Sequence, residues 1–183
     1  MAVGLFAGPT AMRALREAST SISPAASDIL GALGPGHVHV CGGFEGALAL
    51  GSMERLDPTS GAWEALPSMT EARQYTCAGV IAGRVYVCGG WGGPQPVRSV
   101  ERFDTHAGVW EAMPPMLVAR WGASAGVVGG KLYICGGLDE SRQPLSSVER
   151  LDPGGCLDRP IAGAEAPPYG GAFWEGVPSM AER

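Results

Sequence analysis

Two arginines that recur at the same place in the sequence are the side chains best suited to binding chemistry. Arg73 lies in the segment Thr-Glu-Ala-Arg-Gln, and Arg120 lies in the segment Leu-Val-Ala-Arg-Trp. A guanidinium group binds a carboxylate through two parallel hydrogen bonds, or it braces backbone carbonyl groups inside the protein. The sequence leaves both interpretations open. Gln74 and Trp121 follow the two arginines, and together with Trp91 they could supply amide and aromatic contacts beside them.

Catalysis and metal binding find little support among the titratable residues. The sequence contains three histidines, and only His37 and His39 are close together. Two residues apart on a strand, they point the same way and form a conceivable metal pair. Their counterparts elsewhere in the chain are Arg or Lys and Tyr, which indicates ordinary strand positions. We therefore predict no catalytic residue, no metal site and no cofactor.

The composition predicts a loop-rich, all-β chain. Of its 183 residues, 29 are Gly and 15 are Pro, and 45% are apolar, so the chain can bury a core while making many tight turns. The net charge of −5, without a run of Lys or Arg, argues against nucleic acid as a partner. No apolar stretch approaches the roughly 20 residues of a membrane helix, so we expect no membrane association.

Cysteine usage indicates a reducing compartment. Cys41, Cys88 and Cys135 occupy the same place in an internal repeat, and equivalent positions on separate repeats are expected to be too far apart to form a disulfide. We interpret them as small buried apolar side chains. This predicts a cytoplasmic protein.

The elements that would position these side chains recur three times in the same order. The first is an apolar strand that ends in Gly-Gly, the second contains Glu-Arg, and the third begins with Trp and contains Pro. The Gly-Gly element occurs at 37–43, 84–90 and 131–137. The Glu-Arg element occurs at 53–57, 100–104 and 148–152, and the Trp element occurs at 63–69, 110–116 and 174–180. Such a period of nearly 50 residues predicts repeated units of one supersecondary motif.

Each repeat is predicted to be a meander of four strands, the first of them rich in small residues. With Gly-Gly after an apolar strand and a spaced Trp, the pattern resembles the Kelch family of β-propellers. The resemblance implies an all-β fold, a partial β-propeller of three Kelch blades with four antiparallel strands each. We place the blades at 24–70, 71–117 and 118–183, with an insertion at about 153–171 in the third, and we interpret residues 1–23 as a disordered leader.

The resemblance also implies a protein-binding scaffold rather than an enzyme. In Kelch-like substrate adaptors of the BTB-Kelch type, arginines at the positions of Arg73 and Arg120 line a loop face that binds acidic peptides. The same role is implied here, with Gln74, Trp91 and Trp121 beside them, for an acidic peptide or protein that is then presented for ubiquitination. Two alternatives within the family are actin association and a fragment of a Kelch-fold metal oxidase.

The number of blades has a consequence of its own. Closed propellers have about four to eight blades, whereas three form an arc with uncovered apolar faces at both ends. Either two arcs form a homodimer or further blades belong to the protein.

Overall fold

The computed structural model describes residues 36–154 and 171–181, which form strands, turns and loops without a helix. In the first repeat lie β1 Val38–Cys41, β2 Phe44–Glu45, β3 Leu48–Ala49, β4 Met53–Leu56 and β5 Trp63–Leu66. The second contains β6 Cys77–Ile81, β7 Arg84–Cys88, β8 Val100–Asp104 and β9 Val109–Met113. The third contains β10 Ser124–Val128, β11 Lys131–Cys135, β12 Val148–Asp152 and β13 Phe173–Val177.

The second and third repeats are four-stranded antiparallel sheets in chain order, β6-β7-β8-β9 and β10-β11-β12-β13. We call them blade 2 and blade 3. Blade 1 has the order β1-β4-β5, and β2 pairs with β3 in a separate hairpin. This arrangement confirms the all-β, partial β-propeller fold. The first strand predicted for blade 1, the leader at 1–23 and most of the insertion at 153–171 lie outside the described residues. No helix in the described segments is long and apolar enough to cross a membrane.

The second strand of blade 2 is apolar because the neighbouring blades cover both of its faces. In β7, Val85 and Val87 belong to one apolar cluster with residues of blade 1. Tyr86 and Cys88, which alternate with them, belong to a second cluster with residues of blade 3. Alternate side chains of a strand point to opposite faces, so the uninterrupted apolar sequence of β7 follows from its central position.

The Gly-Gly pairs mark a close approach of two backbones. Gly89 and Gly90 have φ values of +59° and +98°, a region that side chains disfavour. A Cβ atom at Gly89 would lie 2.5 Å from the carbonyl oxygen of Arg120. The segment that leads into blade 3 therefore passes directly over the end of β7.

The repeated tryptophans join successive blades. Trp110 Nε1 donates a hydrogen bond to the carbonyl of Pro67 in the preceding blade, at 2.7 Å. Trp174 Nε1 donates in the same way to the carbonyl of Pro114, at 2.8 Å. Each ring also packs with an apolar cluster shared by the two blades. The Trp rings therefore fill the gap between blades in both contacts.

The cysteines of the described residues are free thiols. Cys41 and Cys88 are buried as predicted, whereas Cys135 is only partly buried. Burial raises the pKa of Cys41 to about 12 and that of Cys88 well above its usual value. Because the thiolate is the reactive form, these thiols are inert apolar side chains at neutral pH.

Candidate functional site

Arg73 joins blade 1 to blade 2. Its backbone bonds to blade 1, where its carbonyl accepts from the N–H of Gly43 and its own N–H donates to the carbonyl of Leu50. Its side chain bonds to blade 2, where Nη1 donates to the carbonyls of Gly89 and Ser99 at 3.1 and 2.9 Å. Nη2 donates to the Glu101 carboxylate at 2.9 Å.

Arg120 repeats this arrangement between blade 2 and blade 3. Its carbonyl accepts from the N–H of Gly90 in blade 2. Its Nη1 donates to the carbonyls of Gly136 and Ser147 at 2.8 and 3.0 Å, and Nη2 donates to the carboxylate of Glu149 at 2.6 Å. We call the two pairs, Arg73 with Glu101 and Arg120 with Glu149, the braces.

The glutamates of the braces also reach back to the preceding blade. Glu101 accepts from the backbone N–H of Thr70 at 2.8 Å, and Glu149 accepts from the backbone N–H of Leu117 at 2.6 Å. Both charges of each brace are therefore buried together and bonded to backbone groups that would otherwise be unsatisfied.

Burial decides between the two interpretations of the arginines. The exposed fractions are 0% for Arg73 and 1% for Arg120. A guanidinium group surrounded by carbonyls and a carboxylate of its own chain cannot also bind a carboxylate of a partner. The geometry favours the bracing interpretation for both arginines. The loop-face role implied by the family resemblance requires an accessible guanidinium group, and neither arginine has one.

The repeated Glu-Arg pairs divide into two structural contacts. Their arginines pair across to the next strand, Arg102 with Glu111 and Arg150 with Glu175, the latter with 2.8 Å between Nε and the carboxylate. The glutamates of the second and third pairs, Glu101 and Glu149, belong to the braces. The arginines of these pairs therefore have a structural role across adjacent strands.

A row of aromatic side chains lies at the end of the blades where the inner strands β6 and β10 begin. The ring centroids of Phe44 and Tyr75 are 5.9 Å apart, those of Tyr75 and Trp121 5.4 Å, and those of Trp121 and Trp91 5.6 Å. We call these four residues the aromatic row. It takes one residue from blade 1, two from the segments of blade 2, and one from the segment leading into blade 3.

Short backbone ladders hold the row in place. Gln74 exchanges two backbone hydrogen bonds with Trp91, and Trp121 does the same with Leu138. The indole nitrogens donate to nearby carbonyls, Trp91 to Gly93 at 2.5 Å and Trp121 to Asp139 at 3.1 Å. With the N–H groups satisfied locally, the ring faces are left to make apolar contacts.

Tyr75 occupies a backbone conformation that is unfavourable for its type. Its φ of +52° lies in the left-handed region, and 37% of its surface is exposed. The equivalent residue before β10 is Gly122, with φ +64°. A non-glycine residue in this region costs about 1–3 kcal/mol, and such residues cluster at functional sites. The fold accepts glycine here, so a tyrosine requires a different reason.

The surface beside the row carries charges of both signs. An open depression of about 370 Å³ lies between blades 2 and 3, lined among others by Glu71, Arg98 and Glu140. Arg142 is a further exposed cation in the same loop as Glu140. With Arg73 and Arg120 buried, this surface has no excess of positive charge.

The histidine pair has no additional ligand. No group of three or more His, Cys, Asp or Glu side chains that could hold a metal ion occurs among residues 36–154 and 171–181. Burial, assisted by the charges of His37 and Arg55, lowers the pKa of His39 to about 4. His39 occupies the strand position of Tyr86 and Tyr133, as its place in the repeat indicated.

Sequence reasoning placed Gln74, Trp91 and Trp121 at this surface but missed two members of the row. Neither Phe44 nor Tyr75 was among the predicted contact residues. The signal for Tyr75 was available, because it aligns with Gly122 in the repeat and a tyrosine in place of a left-handed glycine is unusual.

Comparison with known proteins supports the fold. The Kelch motif model matches residues 34–70, 72–117 and 119–155, which make up more than half of the chain. No curated protein matches the sequence. A similar solved structure is that of YjhT, with a TM-score of 0.53 and 16% sequence identity. The match covers 62% of this chain and 47% of that one, so this chain spans about half its length. At this identity the likeness concerns the fold alone.

Proposed function

Because this chain belongs to the Kelch motif family, we propose that it is a non-catalytic scaffold that binds another protein through the aromatic row. Aromatic side chains offer a large contact area for little conformational entropy, and they are enriched among residues that dominate binding energy. Four of them in contact, contributed by successive blades, form a surface no single blade could provide. This row is the observation that carries the proposal.

The strained backbone at Tyr75 supports the same surface. Tyr75 contacts Phe44 on one side and Trp121 on the other, so it joins the aromatic residues of the flanking blades. Glycine at this position would relieve the backbone and interrupt the row. A binding role for the continuous row explains why a tyrosine is found there.

The chemistry of the row favours apolar, aromatic or proline side chains in the partner. Preference for an acidic peptide rested on Arg73 and Arg120, which are buried in the braces. Besides the exposed cations Arg98 and Arg142, this surface carries the exposed Glu140, and the Glu71 carboxylate pairs with Arg73. We therefore propose a protein segment that stacks on the rings, without requiring that it be acidic.

Two finer features of the proposal follow from the family resemblance. The bound protein would be presented for ubiquitination, and binding would occur in the cytoplasm, where the free thiols of the described residues remain reduced. Recovery of a cullin-containing complex with the chain would support the first feature. Recovery of the partner without it would limit the function to binding.

Affinity capture with mass spectrometry tests the proposal. The wild-type chain is compared with Trp121→Ala and with Val109→Ala, a control on β9 that shortens an exposed apolar side chain at the opposite end of blade 2. We expect specific proteins to be recovered with the wild type and Val109→Ala and to be lost with Trp121→Ala. Equal recovery with all three folded proteins would contradict binding through the row.

A further inference from the structure

Glu71 is another departure from the repeat at the end of the blades that carries the aromatic row. It stands two residues before Arg73, and the equivalent residue before Arg120 is Val118. In that second brace, Nη2 of Arg120 donates to the hydroxyl of Ser147 at 3.0 Å. The arginine of a brace therefore does not require a carboxylate at this place, so Glu71 needs a different reason.

The first brace holds the Glu71 carboxylate in one orientation. Its Oε2 accepts from Nη2 of Arg73 at 2.8 Å and from the hydroxyl of Ser99. Within residues 36–154 and 171–181, the hydrogen bonds of this carboxylate end on Oε2, which leaves Oε1 for a group from outside. The side chain is 38% exposed, so a partner can reach the carboxylate.

Oε1 of Glu71 lies beside the backbone of the aromatic row. A Cβ atom on Gly92 would be 3.0 Å from this oxygen and 2.9 Å from Cγ1 of Val97, so glycine is needed at this position. Gly92 directly follows Trp91 in the chain. The carboxylate oxygen is therefore within one residue of the backbone that carries a ring of the row.

The open depression of about 370 Å³ between blades 2 and 3 adjoins the row at both of its tryptophans. Glu71 lines the depression from the side of Trp91, and Glu140 lines it from blade 3. Glu140 is exposed and follows Asp139, whose carbonyl accepts the indole N–H of Trp121. The depression thus carries one carboxylate close to each tryptophan.

The lining of the depression favours a long basic side chain. Pro96, Val97 and Ala119 form an apolar wall that suits the methylene stem of lysine or arginine. The two glutamates favour the charged end of such a side chain. Arg98 also lines the depression, but acidic side chains outnumber basic ones there by two to one.

We propose that the segment bound by the aromatic row places a lysine or arginine side chain in this depression, beside Glu71 and Glu140. The inference rests on the proposed function, because the row supplies the neighbouring apolar contact. Side chains two residues apart in an extended segment point the same way, so one can stack on the row while the other enters the depression. The preference is basic, opposite in sign to the acidic preference that the family resemblance implies.

Nuclear magnetic resonance titration of the isotopically labelled full chain with short peptides tests this proposal. The probe is acetyl-Trp-Ala-Arg amide, and its comparison peptide carries citrulline, which keeps the shape of arginine without the charge. We expect the amide signals of Gln95 and Ser99 to shift, and the arginine peptide to bind about fivefold more tightly at low salt. Equal affinities of the two peptides, or shifts that spare Gln95 and Ser99, would overturn the proposal.

Charge variants test the lining directly. Glu71→Gln keeps an oxygen for Arg73 and should remove most of the advantage of the arginine peptide. The matched control is Glu111→Gln on β9, which makes the same change in net charge at a half-exposed glutamate that also pairs with an arginine. We expect the control to bind both peptides as the wild type does.

Arg98→Ala should have the opposite effect to Glu71→Gln. It removes a like charge from the depression, so the arginine peptide should bind about threefold more tightly. Weaker binding in Arg98→Ala together with tighter binding in Glu71→Gln would show a preference for an acidic side chain and overturn the proposal.

Trp121→Ala distinguishes failure of this inference from failure of the proposed function. We expect it to weaken both peptides equally, because it removes a ring of the row and no charge. Binding of the citrulline peptide that depends on Trp121, without any advantage of the arginine peptide, would overturn only the basic preference. Binding of both peptides that is unaffected by Trp121→Ala would overturn binding through the row as well.

Discussion

Two regions at the same end of the blades differ in how they repeat. The braces use the same residue types in both contacts, Arg73 with Glu101 and Arg120 with Glu149, and their arginines are buried. The aromatic row uses different types at equivalent positions. Tyr75 of blade 2 corresponds to Gly122 of blade 3, and Trp91 corresponds to Leu138.

The difference has a physical cause. Each contact between blades satisfies the same backbone groups in the same geometry, so each contact requires the same arginine and glutamate. A partner, by contrast, touches each blade once and at a different point. Regular recurrence in this chain therefore identifies scaffold, and departures from the repeat at an exposed end identify the candidate binding surface.

The largest expected effect is on the braces. Arg73→Ala leaves the buried carboxylate of Glu101 without its partner and frees the carbonyls of Gly89 and Ser99. Breaking a buried ion pair in this way costs about 3–5 kcal/mol of the free energy of unfolding. Urea unfolding monitored by tryptophan fluorescence measures this loss.

Arg102→Ala is the matched control, because it removes an arginine whose partner, Glu111, is about half exposed to solvent. We expect it to cost at most about 1 kcal/mol. Equal effects of the two variants would contradict the buried brace. Weaker partner binding by Arg73→Ala with unchanged stability would restore the acidic-peptide interpretation of this arginine.

The sequence was sufficient for the strands and insufficient for the braces. Gly-Gly, Glu-Arg and Trp recur in order, so the four-stranded meanders of blades 2 and 3 were predictable. The sequence also showed that Arg73 and Arg120 are equivalent, but bracing and peptide binding require the same residue type there. Only the burial of the guanidinium groups separates the two, because burial depends on how the following strands cover the arginine.

The next largest effect is expected in the aromatic row. Trp121 lies between Tyr75 and Trp91, so Trp121→Ala removes the centre of the row. For a central aromatic residue, the loss of binding free energy is about 2 kcal/mol or more. Titration calorimetry with the captured partner measures it. A loss no greater than that of Val109→Ala would place the binding surface elsewhere.

A smaller effect is expected at Tyr75, where partner binding should weaken while stability changes little. Tyr75→Gly relieves the left-handed backbone but loses two ring contacts and adds freedom to the unfolded chain, so stability should change by less than about 1 kcal/mol. Partner binding should nevertheless weaken, because the row is interrupted. Thermal unfolding and calorimetry on the same preparation compare the two. A large loss of stability would mean that Tyr75 is part of the scaffold.

The smallest effect concerns His39, which departs from the repeat but faces the inside. In the equivalent Tyr86 and Tyr133, the ring centroids lie 6.0 and 5.9 Å from the guanidinium carbons of Arg102 and Arg150. His39 instead is close to Arg55, and its buried Nε2 has no hydrogen-bond partner among residues 36–154 and 171–181. Its pKa is lowered from 6.5 to about 4, so the unfolded chain takes up a proton between these values and the folded chain does not. Wild-type stability should therefore fall as the pH drops from 6.5 to 4. His39→Tyr should remove about 1 kcal/mol of that decrease at pH 5, after allowance for solvent screening, and change little at pH 8. If both proteins lose the same free energy of unfolding between pH 8 and pH 5, other groups cause the acid sensitivity.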